Sequence, residues 1–136
     1  MTVNREIFGS ASRCIVGILL FGFAPGTAAH HSFGAVFDRD QPIEATGIVT
    51  QVEWRNPHVW FYVNVENGEG EIENWAFELG SPNALIRRGW NYKTLQVGNT
   101  VTVHAARARD GSPRGAVLTV TLPSGKSLFG AQGRTR

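Results

Sequence analysis

The chain carries four histidines in 136 residues, and imidazole is both the side chain that titrates near neutrality and the commonest metal ligand. His30 and His31 are adjacent and follow the small-residue run Ala24-Pro25-Gly26-Thr27-Ala28-Ala29. His58 ends the turn signal Asn56-Pro57-His58, and His104 stands near Thr100 and Thr102. If the chain is cut just ahead of the pair, a free amine joins two imidazoles. With Ala29 first, the amine, two backbone amides and the His31 ring enclose Cu(II) or Ni(II) in a square plane, a geometry these ions favour. With His30 first, its own amine and ring chelate, and one more imidazole completes a T-shaped copper site. His58 is the first candidate for that nitrogen, because it follows a turn and opens a strand at a barrel rim, where such scaffolds carry their sites. His104 is the second, since an imidazole among threonines on a strand face is more often a surface residue. Copper is therefore the candidate cofactor. The bland alternatives are a frayed polar terminus for the pair and, for His58, a ring that bonds its own turn and stacks on Trp60.

The elements ahead of this point read as an export signal. Arg5 and Arg13 are basic, residues 14–23 are apolar but too short to span a bilayer comfortably, and small residues follow. Residues 1–29 are thus expected to be a cleaved secretory signal peptide, and the product periplasmic or secreted, with no stable membrane insertion afterwards. No Arg-Arg pair precedes the apolar run, so the general secretory route is expected. Cleavage after Ala28 and after Ala29 both satisfy the small-residue rule. The only cysteine, Cys14, falls in this leader. The remainder has no thiol, which excludes disulfides and cysteine-based metal centres there. Losing residues 1–29 also leaves 11 basic against 10 acidic residues, too little charge to argue for nucleic acid.

Period-2 patterns organise the rest into five strands. The first covers residues 43–54, with Ile48, Thr50, Val52 and Trp54 on one side and Val49, Gln51 and Glu53 on the other; Gly47 predicts a bulge or bend. The second, 58–66, sets Val59, Phe61, Val63 and Val65 against His58, Trp60, Tyr62 and Asn64. The third, 72–79, buries Trp75, Phe77 and Leu79 and leaves Glu71, Glu73 and Glu78 as a solvated face. Ser81 to Gly89 has the signals of a helix: Ser81 as cap, Pro82 in the first turn and Gly89 at the exit. The fourth strand, 101–107, turns Val101, Val103 and Ala105 inward, and the fifth, 117–122, buries Leu118, Val120 and Leu122. Residues 32–42 read as an extended lead-in. Residues 123–136 read as a flexible tail with one candidate contact, Leu128-Phe129. The expected fold is mainly β: one domain over residues 30–122, a small five-stranded OB-like barrel with one short helix between strands 3 and 4. An open sandwich of the same strands is the alternative.

Trp60 and Tyr62 form a candidate binding surface, for aromatic faces on OB-folds stack bases or sugars. Without a basic groove, a protein or glycan partner fits better than nucleic acid. There is no Gly-x-Ser-x-Gly, no phosphate loop and no paired catalytic carboxylates, so the sequence gives no support to an enzyme. A copper-dependent redox enzyme is the weakest reading, because neither an open coordination position nor a substrate groove is evident.

The combination His30-His31-Ser32-Phe33, then Gly47-x-Val49-x-x-Val52-x-Trp54-x-Asn56-Pro57-His58, resembles a bacterial family of small exported domains of unknown function. The resemblance extends from about His30 to Phe129. It implies an exported β-rich domain without an assigned activity, and the recurrence of both motifs in such proteins pairs His30 and His31 with His58.

Overall fold

The computed structural model of the chain describes residues 33–131. In chain order these form α1 (Phe33–Val36), β1 (Phe37–Glu53), β2 (Trp60–Glu66), β3 (Ile72–Glu78), α2 (Pro82–Ile86), β4 (Thr100–Ala108), β5 (Arg114–Thr121) and β6 (Ser127–Phe129). At 17 residues, β1 is long enough to pair with two neighbours. Gly47 faces Val65 of β2 and Val101 of β4, both antiparallel. The sheet runs β3-β2-β1-β4-β5-β6, and a parallel pairing of Ala76–Glu78 with Arg114–Ala116 joins β3 to β5 and closes the ring. Five strands therefore make an OB-like barrel with α2 between β3 and β4, as the pattern predicts. The sixth strand is additional. β5 pairs with β3 only through residue 116, and β6 covers the edge left open at residues 119–121, where unpaired backbone would otherwise face solvent.

Two register shifts explain where side-chain alternation departs from expectation. In β1, Val49 faces Val63 but Gln51 already faces Tyr62, so Thr50 is the extra residue. Ala45 and Val49 point inward before this bulge, and Val52 and Trp54 pack on the core after it. Ile48, grouped with Val52 by simple alternation, is 52% exposed. Gly47 is not the bulge. A Cβ there would sit 2.1 Å from the Asn64 carbonyl oxygen, so it is a point of close strand approach. In β5, His104 faces Thr119 while Ala105 faces Val117, leaving Leu118 as the extra residue. Val117 takes the core position expected of Leu118, which is exposed.

Inside the ring, Val59, Phe61, Val63, Phe77, Leu79, Val101, Val103 and Val120 are fully or almost fully buried, each contributing roughly 1.5–3 kcal/mol of transfer free energy. Leu85 of α2, Trp90 and Leu95 join this core. The helix forms as its signals predict: the Ser81 hydroxyl accepts from the Ala84 amide and Pro82 opens the first turn, while Gly89 adopts φ +88° beyond its end. Trp90 Nε1 donates to the Phe129 carbonyl at 2.9 Å, tying the helix exit to β6. A second, smaller cluster lies apart from this core. Phe37 packs with Ala106, Ala108 and Ala116, and Phe33 and Val36 lean on it. Arg109 clamps the same stretch, donating to the Gly34 carbonyl and to Asp38 Oδ2, each at 2.9 Å. Residues 33–36, expected to be extended, therefore form a short helix, while residues 37–42 are extended as expected and open β1, so that 33–38 make a strap against β4 and β5.

Candidate functional site

His58 stands between the turn after β1 and the start of β2. Arg55 and Asn56 lead into a cis Asn56–Pro57 peptide, and Val59, next after His58, is held to the residues just past β3 by hydrogen bonds with Leu79 and Gly80. Because Val59 and Phe61 are core residues, alternation turns His58, Trp60 and Tyr62 to the outer face of the barrel. Across that face the register aligns Glu53 of β1, Trp60 of β2 and Glu78 of β3 in one row.

The row brings His58 onto a carboxylate. Its Nδ1 contacts Glu78 Oε1, with the imidazole 44% and the glutamate side chain 12% exposed. A carboxylate that accepts the Nδ1 proton fixes both tautomer and ring orientation and leaves the Nε2 lone pair available. This is the arrangement that commonly supports a metal-ligating histidine. His58 thus bonds the third strand and not its own turn. On the other side of Trp60, Glu53 Oε1 accepts from Gln51 Nε2 at 2.8 Å. Its Oε2 is buried against the Arg55 guanidinium as a charge contact without hydrogen-bond geometry.

Trp60 and Tyr62 are half-buried on the outer face. Beside them Asn74 donates to Asn64 Oδ1 at 2.7 Å and to the Thr50 hydroxyl at 3.1 Å, so the polar end of this face is internally satisfied.

His104 sits in the middle of β4 with Thr102 on the same side, as alternation predicts. Its Nδ1 lies 3.4 Å from Glu44 Oε2, with side chains 47% and 64% exposed. The structure does not unite His104 with His58: one belongs to a pair across β4 and β1, the other to a pair across β2 and β3. His30 and His31 lie outside the described residues. Among the described residues no group of three or more histidine, cysteine, aspartate or glutamate side chains converges to hold a metal.

Glu78 is the residue that sequence reasoning missed. Alternation along β3 puts it on the outer face, opposite to Glu73, and only the pairing of β2 with β3 reveals that it meets His58. Glu78 also faces Ala116 across the barrel closure, and Ala116 belongs to the cluster on which Phe33 leans. The strap that leads in from the N-terminal side therefore packs one strand away from the histidine–glutamate pair.

A family model described as a family of unknown function, DUF6152, matches residues 19–117. The match spans the strap, α2 and the first four strands and ends inside β5. No curated protein and no solved structure matches the chain.

Proposed function

Because the chain belongs to the family of unknown function DUF6152, no activity comes to it with its family, and we propose from its own residues that it is an exported copper-binding domain. His30, as the first residue after signal cleavage, supplies amine and imidazole, His31 stands beside it, and His58 supplies the further imidazole. The observation that carries this reading is the contact of His58 Nδ1 with Glu78, a carboxylate only 12% exposed, which leaves Nε2 as the free ligand atom. His104 has a looser and more exposed partner and is not assigned a role. His30 precedes Phe33 by three residues, which keeps it within about 10 Å of extended chain from that residue.

The reading is tested on secreted protein whose mass fixes its first residue. A His30-first product is expected to bind one equivalent of copper more tightly than micromolar, and to lose that affinity when His30 and His31 are both replaced by alanine. Binding no tighter than micromolar, or full affinity in the double variant, overturns it.

One observation favours a second reading, an OB-like adaptor that binds a protein or glycan without metal. Trp60 and Tyr62 are half-buried beside each other's strand positions on an outer face, and large amphipathic rings of this kind anchor interfaces. On that reading Trp60→Ala abolishes partner capture and copper has no effect on it.

A further inference from the structure

The barrel is not filled to both ends. Alternation sends Glu73, Trp75 and Phe77 of β3 to the interior, and Val101, Val103, Ala105 and Arg107 of β4 likewise. Phe77 and the β4 valines are buried, whereas Trp75 and Arg107 are half-buried and Glu73 is exposed. The space between them is a cavity of about 210 Å³ that opens at this end. Its apolar wall is Ile43, Val65 and Trp75, and Glu44 stands at its rim.

The charges in this mouth are arranged unusually. Arg107 and Glu73 both line it, yet none of the ion pairs among the described residues involves either one. Instead the guanidinium lies over the Trp75 ring, 5.7 Å from its centroid, and makes a long 3.5 Å hydrogen bond to the Gly111 carbonyl. A cation and an anion thus share an indole-walled cavity without neutralising each other. Barrel mouths with apolar walls and a few polar groups are recurrent sites for small ligands.

We propose that this mouth binds a small aliphatic zwitterion, of which an α-amino acid such as leucine is the simplest. The ligand carboxylate accepts from the Arg107 fork, whose planar donors match a carboxylate. Its ammonium donates to Glu73, and its aliphatic body covers Trp75, Val65 and Ile43. Glu44 at the rim disfavours a simple carboxylic acid. The volume lies below the roughly 300–1,000 Å³ of sites for drug-sized ligands, so the occupant is a single small molecule and not a peptide. The inference is independent of copper.

The test is an NMR titration of the folded protein with L-leucine, 4-methylpentanoate, which lacks the amine, and 3-methylbutylamine, which lacks the carboxylate. Leucine is expected to shift the Trp75 indole resonance saturably and to leave that of Trp90, bonded to Phe129, in place. Each analogue should bind at least about tenfold more weakly, about 1.4 kcal/mol. Glu73→Gln and Arg107→Lys should each cost a similar factor. Glu73 is exposed, so its variant keeps the test decisive even if Arg107 proves necessary for folding. No saturable shift at Trp75 up to about 10 mM leucine, well past a millimolar dissociation constant, overturns the proposal. So does equal binding of either analogue, or full affinity in Glu73→Gln.

Discussion

His58–Glu78 and His104–Glu44 use the same residue types across neighbouring strands, yet they are different objects. His58 stands at the rim after a turn, and its glutamate is 12% exposed. His104 stands in mid-strand, and its glutamate is 64% exposed at 3.4 Å. Exposed pairs of that kind are worth little, typically 0–1 kcal/mol, and fix no geometry. A carboxylate sheltered from water and held in a cross-strand row has fewer places to go, so the ring it holds is oriented as well. The difference teaches that the shelter of a histidine's partner, together with its place on the strand, decides whether the ring is held in one orientation.

The largest effect that could break this comparison is the loss of His58. His58→Ala is expected to weaken copper binding by about a hundredfold or more, and His104→Ala to leave it unchanged, as read by competition titration with a chelator of known affinity. Next is the carboxylate. Glu78→Gln should cost about 10–100-fold, the range for groups that orient a metal-bound histidine, while Glu44→Gln should cost nothing. Equal effects from the two glutamates would erase the distinction between the two pairs.

A smaller effect is expected from the strap. Arg109→Ala removes two hydrogen bonds to residues 34 and 38. It should lower thermal stability by no more than about 1 kcal/mol, since the guanidinium is half exposed, and reduce copper affinity severalfold by loosening the segment behind the histidine pair. Unchanged affinity would mean that the strap does not help to position that pair. The smallest effect belongs to the β4–β5 loop. The Ser112 hydroxyl and amide, and then Arg114, hold the Asp110 carboxyl below its ordinary range. Its contribution to stability is therefore complete above the unfolded-chain value and is lost as pH falls through the lower folded value. An NMR titration of Asp110 should show the depressed midpoint, and Asp110→Asn should leave copper affinity untouched.

Much of the barrel was legible from local chemistry. Strict alternation over residues 59–65 identified the buried face of β2, and Ser81, Pro82 and Gly89 marked the helix because caps and breakers act within a few residues. What escaped depends on partners distant in sequence. Thr50 and Leu118 became bulges because of the strands opposite them, and alternation counted along one strand cannot reveal a register shift. β6 was hidden in a short, glycine-rich stretch whose only strong signal was Leu128-Phe129. At the candidate site, His58 was recognisable from its turn, but Glu78 gained meaning only from the β2–β3 register. Glu73 is exposed, as a solvated carboxylate is expected to be, and it also lines the barrel mouth.

The central claim, that His58 completes a copper site with the N-terminal histidines, is met most directly by a copper competition titration of mass-verified His30-first protein beside its His58→Ala variant. The account predicts one site tighter than micromolar in the first and a loss of about a hundredfold in the second. Equal affinity in the two would contradict it.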